Sequence, residues 1–162
     1  MSLPAIAALW YLPVLVPLCL AAMWTDLTRM KIPNRINDVM LLAFIPLGFI
    51  ALPWETALWQ WLNPAVMLVI GLGLHALRAM GGGDLKFMIA ASPYVMRPDL
   101  GRMMVLLAVF LLIGFALHRL ARMSPLRRMT PNWTSWSATG RYPMGLSLGP
   151  ALIAYLILSA TG

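Results

Sequence analysis

Long apolar blocks separated by short polar breaks make up this chain. The first block, Leu3 to Trp24, is long enough at 1.5 Å per residue to cross a hydrocarbon core of about 30 Å. Pro4, Pro13 and Pro17 lie within it, and neighbouring helices make kinks at such positions tolerable in lipid. The break that follows, Thr25 to Arg35, is polar and basic, and Pro33 biases Ile32 away from helix. The first helix is therefore expected to end before Ile32 and a second to start near Asn34. Further apolar blocks run over Ile36–Leu52, Pro64–Met80, Leu85–Met96, Met103–Leu117 and Met144–Leu158. The fourth of the six, Leu85–Met96, reaches only about 18 Å as helix. It must be a protein-enclosed thin span or a re-entrant element, because non-helical backbone at membrane depth has to be buried or face water. Between the blocks lie a Trp-rich link (Pro53–Asn63), a glycine turn, a tight turn (Arg97–Arg102) and one long polar stretch, His118 to Gly145. The expected architecture is all-α: one membrane-embedded domain over 1–162, six transmembrane segments with the fourth short, and a basic loop over 118–145.

Composition supports the same class. Hydrophobic residues make up 61% of the 162 and charged ones 10%, with a mean hydropathy of +0.81, whereas a soluble domain carries roughly 25% charged residues. The net charge of +7 does not indicate nucleic acid, because the cations sit between apolar blocks rather than on a soluble basic face. Cys19 is the single cysteine, so no disulfide is expected. The N-terminal block lacks a basic lead-in and is too long for a signal peptide, so it reads as a retained membrane helix. Ten of the twelve Lys and Arg residues fall in breaks that alternation assigns to one face, leaving Arg97 and Arg102 on the other. That asymmetry makes the first face cytoplasmic and puts both termini outside.

The topology sets two carboxylates at one depth. Asp84 follows Gly81-Gly82-Gly83 and precedes Leu85-Lys86-Phe87, while Asp26 lies just past the first block. A carboxylate between apolar segments is costly unless paired or used. Two that meet at a membrane boundary make the unit of aspartyl proteolysis: one ionised as base to a water, the other protonated to polarise the scissile carbonyl. Glycines at 81–83 are expected to supply φ > 0 and clearance for an extended peptide. Lys86 is expected either to favour ionisation or to hold the headgroup boundary.

Simpler readings compete at each position. Asp84 pairs with Lys86, Asp26 caps a helix or pairs with Arg29, and Asp38 is a helix N-terminal acid. His75 and His118 have no second ligand at metal spacing, so a structural role is expected and neither metal nor cofactor is implied. The Arg-rich loop reads as an anchor on anionic headgroups. A small ion-coupled transporter is the rival function, and it would place carboxylates at mid-membrane depth rather than at one boundary. A non-catalytic scaffold of a pilus or secretion apparatus is a third, and it would tolerate Asp→Asn at both sites.

Gly81-Gly82-Gly83-Asp84-Leu85-Lys86-Phe87 resembles the GxGD-x-K-aliphatic motif of type IV prepilin peptidases, integral-membrane aspartyl proteases. Asp26 followed by a basic stretch and Ile32-Pro33-Asn34 is similar to their other signature. Tyr142-Pro143-Met144-Gly145 resembles their Pro-aromatic-Gly element, with Met144 in place of the aromatic. The resemblance implies that Asp26 and Asp84 are catalytic, supported by Gly81, Gly82, Gly83, Lys86, Pro33, Asn34, Pro143 and Gly145. It implies cleavage of a basic leader from pilin-like precursors, after Gly, at the cytoplasmic face of the bacterial inner membrane. Long-form members carry an early cytoplasmic insertion with paired cysteines and also N-methylate the product. This chain has neither feature, so it is more similar to the short members serving Flp/Tad-type pili, and methylation is not expected. The partners implied are a pilin or pseudopilin precursor and the bilayer, without nucleic acid.

Overall fold

A computed structural model describes residues 1–77, 80–138 and 142–162, and those residues contain helices and turns but no strand. Eight α-helices follow in order: α1 (Ala5–Arg29), α2 (Asn34–Ala51), α3 (Trp54–Gln60), α4 (Leu62–Ala76), α5 (Gly82–Ala91), α6 (Leu100–Met123), α7 (Leu126–Met129) and α8 (Gly145–Thr161). Among the described residues, four stretches are long and apolar enough to cross a membrane: Ala5–Arg29, Asn34–Ala51, Trp54–Ala76 and Arg97–Met123. The fold is a membrane-type helical bundle. Of the cations used to orient it, Arg78 and Arg141 lie outside the described residues.

Three boundaries differ from the hydropathy pattern. The Trp-rich link at 53–63 is helical, because Pro53 starts α3 from the N-cap and Glu55 sits in its first turn, where an acid is favoured. The polar stretch does not begin at His118: α6 continues to Met123, with Arg122 in its last turn facing the negative end of the helix. The loop proper therefore starts at Ser124. Finally, Asp26 lies inside α1 rather than beyond it.

Among the described residues α1 and α8 make the most extensive helix pair. The buried residues of α1 (Ala7, Ala8, Tyr11, Leu15, Cys19, Ala22 and Asp26) repeat every three or four positions, one stripe of the helix. Gly145 and Gly149 of α8 face that stripe. A Cβ on Gly149 would lie 3.2 Å from the Cys19 carbonyl, and one on Gly145 would lie 3.3 Å from that of Ala22. Small residues are what bring helix backbones this close in lipid, where packing rather than water exclusion drives association.

The short α5 packs between α2, α4 and α8, with Leu85, Phe87, Ala90 and Ala91 buried. Beyond its end the chain turns through a 3-10 segment, Ser92–Tyr94, whose Pro93 and Tyr94 are buried. Gln60, 3% exposed, donates to the carbonyls of Pro93 at 3.0 Å and Val95 at 3.1 Å. Asn63 donates to Ser92 and Val95. These two amides satisfy backbone acceptors that lipid would leave bare. At the same end Asp99 accepts the backbone N–H of Ser2 (2.7 Å), that of Leu3 and the Tyr155 hydroxyl (3.0 Å), which clasps the N-terminus to α6 and α8.

Replacing Gln60 with Leu strands the buried Pro93 carbonyl and leaves that of Val95 to Asn63 alone, and an unsatisfied buried acceptor costs about 1–3 kcal/mol. Gln60→Leu should lower the unfolding temperature in detergent by several degrees, whereas Glu55→Ala on the exposed face of α3 should not move it; equal melting of all three proteins would contradict this account.

Candidate active site

The end of the bundle opposite the Asp99 clasp gathers the C-terminus of α1 and the N-termini of α2, α5 and α8. Asp26 sits there in the last turn of α1, 5% exposed. Its Oδ2 accepts the backbone N–H of Gly145 at 2.8 Å, a bond between residues 119 positions apart. Gly145 is the first residue of α8, so the N–H it offers has no acceptor within the helix. A Cβ at this position would lie 3.0 Å from the Asp26 Cβ and 3.1 Å from its Oδ2. A side chain here would have to push the carboxylate aside by a few tenths of an ångström. Pro143 is buried in the turn before α8, and its carbonyl accepts the Leu146 N–H at 3.1 Å.

Past Asp26 the chain reverses at Met30, whose φ of 52° is left-handed. Its N–H closes the helix on the Asp26 carbonyl at 2.8 Å, and an L-residue with a side chain pays about 1–2 kcal/mol for this conformation. Ile32 then crosses the start of α5, where a Cβ on Gly83 would stand 3.5 Å from the Ile32 nitrogen. Pro33 is the extended N-cap of α2. Asn34 Oδ1 accepts a 3.0 Å hydrogen bond from Lys86 Nζ, joining the two polar motifs.

Asp84 occupies the first turn of α5 and is partly buried. Burial first, and then the negative charge of Asp26, push its carboxyl up to about 7. The helix N-terminus acts in the opposite sense, but at under about 1 kcal/mol it cannot offset lost solvation. The two carboxylates therefore lie within electrostatic reach, and among the described residues no hydrogen bond joins them directly.

Several expectations need correction. None of the three glycines adopts a left-handed φ: Gly81 is extended (φ −70°) and Gly82 and Gly83 are helical. Gly81 serves by clearance, since a Cβ there would come within 2.9 Å of Asp84 Oδ2. Gly82 has only a distant neighbour, His75 Cε1 at 3.9 Å. Lys86 does not pair with Asp84; the one ion pair among the described residues is Arg102 with Asp99. Nor does Asp26 pair with Arg29. Sequence reading missed Met30, which carries no signal in its residue type. It also missed the Gly145–Gly149 spacing of four, which was there to be read as a packing face.

An all-helical membrane protein with two coupled carboxylates at one end of its bundle is a restricted class. Residues 13–117, about two thirds of the chain, match the model of the type IV leader peptidase family. The chain belongs to that family and is a peptidase. The match spans Asp26 and Asp84 and stops short of Gly145. Comparison with curated proteins and with solved structures gave no match.

The glycines should separate by function. Gly145→Ala forces Asp26 to shift and should reduce leader removal at least tenfold, while Gly82→Ala should stay within about twofold of the parent. Precursor-to-product ratios on gels from cells co-expressing a substrate measure both, and the reverse order would refute the assignment.

Proposed function

We propose that this chain is an aspartyl endopeptidase that removes the basic leader from pilin-like precursors, cutting after Gly at the cytoplasmic face of the bacterial inner membrane. The observation that carries the reading is that Asp26 and Asp84 lie within electrostatic reach of each other. The two side chains come from helices 58 positions apart in sequence, lie at one end of the bundle, and one of them holds a proton near neutral pH. A transport path would string acids along the bundle, but Asp99 at the other end is consumed by its clasp.

In this reading Asp26 is the base and Asp84 the acid. Asp26 takes a proton from a water as its oxygen adds to the scissile carbonyl carbon, and Asp84 gives its proton to the carbonyl oxygen. The tetrahedral diol collapses when the C–N bond breaks: Asp26 passes its proton to the leaving nitrogen and Asp84 takes one back from a diol hydroxyl, which restores both groups. No covalent enzyme intermediate forms. Lys86, Asn34 and Pro33 fix the connector against α5, while Pro143 and Gly145 hold Asp26. The lack of an early cysteine-bearing insertion favours the short Flp/Tad-type branch without N-methylation.

The apolar helix that follows the cleaved bond lies, in our reading, in a cleft of about 530 Å³ between α4 and α6. Its floor is Phe87 and Met88 of α5 with Leu148 and Leu152 of α8, and Val66 and Leu107 line the opposite walls. One helical turn along each floor stripe stand Asp84 (from Met88) and Gly145 (from Leu148), because residues three or four apart share a helix face. A helix seated on that floor points its cytoplasmic end at both carboxylates. Arg97, also lining the cleft at its outer end, is held by Asn63 and the Trp59 carbonyl, which leaves the interior uncharged and suited to an apolar segment.

Asp26→Asn and Asp84→Asn should each abolish shortening of a co-expressed precursor while membrane expression is retained, and activity of the parent should fall as pH rises through about 7, where Asp84 loses its proton. Continued processing by either variant would end the dyad assignment. Leu107→Trp should raise KM for a full precursor roughly tenfold yet cleave a short leader peptide at the parental rate; unchanged KM for both would rule out the cleft as the docking site.

A further inference from the structure

The turn that presents Gly145 to Asp26 is itself held from α6. Tyr142 and Ser147 flank this turn, and their hydroxyls lie 2.7 Å apart in a hydrogen bond. Both sit on Gly114 of α6: a Cβ there would overlap Tyr142 Oη and come within 2.7 Å of Ser147 Oγ. Gly114 is one of only two buried residues in the 24-residue α6, the other being His118 one turn on. α6 packs on the core through partly buried Met103, Leu106 and Leu107, and its two fully buried positions both lie against this one turn.

The ring of Tyr142 continues the contact. It meets Phe115 and His118 edge-on, each at 5.9 Å. His118 stacks on Trp136 at 5.1 Å, Trp136 on Trp133 at 5.5 Å, and Trp133 meets Trp24 of α1 edge-on at 5.5 Å. Trp24 is two residues before Asp26. Trp136 Nε1 donates to the Thr130 carbonyl at 2.8 Å, which fixes the stack within the loop. Aromatic pairs of this kind contribute about 0.5–1.5 kcal/mol each beyond their buried area. The loop after α6 therefore closes a continuous path from α1 to α8 around Asp26. The charge of Asp26, after burial, also raises the Tyr142 phenol above its usual value, so the two groups share one field.

We propose that Gly114, Tyr142 and Ser147 are positioning residues: a latch on α6 that keeps the Gly145 N–H on Asp26. The inference rests on the reading of Asp26 as catalytic. Its logic is geometric. The Gly145 bond joins two helices at a point where no strand among the described residues, and no disulfide in a chain with one cysteine, holds the preceding turn. The hydroxyl pair in the Gly114 notch supplies a fixed point on either side of that bond. Losing it frees the turn to move by fractions of an ångström, enough to misplace a reacting carboxylate.

Tyr142→Phe removes Oη and keeps the ring, and Gly114→Ala keeps both hydroxyls but fills their seat. Each should lower kcat for a pilin-like precursor roughly tenfold with KM within about twofold, and move the acid limb of the activity profile to higher pH. Because both act on one notch, the double variant should be less impaired than the product of the single effects. A readout independent of cleavage is the infrared carboxyl band of Asp26, assigned by its loss in Asp26→Asn, which should shift in both variants. Variants with unchanged kcat and an unchanged band, or with only a lowered melting temperature, overturn the latch. A shifted band in a protein whose parent cleaves no precursor upholds the latch and removes the peptidase reading instead.

Discussion

The contact between Gly145 N–H and Asp26 Oδ2 depends on α1 and α8 lying closer than side chains of ordinary size permit. Gly145 and Gly149 on one helix, set against the Ala22 and Cys19 backbone of the other, make that approach possible. In lipid no water is released when two apolar helices meet, so close packing of small residues is the main attraction available. The same approach buries the carboxylate and supplies the amide that compensates for its burial. A side chain at 145 would press on both at once.

Chain length and backbone satisfaction explain why Asp84 lies where it does. α5 has ten residues, so its apolar part ends within the bundle and the carbonyls of the turn beyond it, at Ser92, Pro93 and Val95, need donors. Gln60 and Asn63 supply them at the outer end. The other end, with Gly81 leaving room, carries Asp84 at the junction with α1 and α2. The three-helix contact there keeps water scarce, and scarcity of water raises its proton affinity.

Asp26, Asp84 and Asp99 show one residue type in three environments. Asp99 is 1% exposed but accepts two backbone amides and a phenol, so its charge is used up structurally. Asp26 has a single amide, from Gly145. Asp84 has burial and a like charge nearby, with no donor among the described bonds. The number of donors, more than depth, separates a structural acid from one available for chemistry.

Much of this was legible in the chain itself. Hydropathy and charge placement identified an all-helical membrane protein, and alternation of the apolar blocks brought Asp26 and Asp84 to one end. Pro33 marked the restart of helix at Asn34 for a local steric reason. The contributions of individual glycines were not legible, because they depend on what each one faces. Gly145 meets a carboxylate from 119 positions away, Gly114 seats a hydroxyl pair, and Gly82 meets almost nothing. Lys86 was read against its neighbour Asp84 but reaches Asn34, 52 positions distant. Local pattern determines which segments enter the bundle and in what order, since lipid acts on every residue alike. Which backbone touches which side chain is decided by the packing of helices far apart in sequence. Only the tertiary structure holds that information, and it is there that the carboxylates acquire their chemistry.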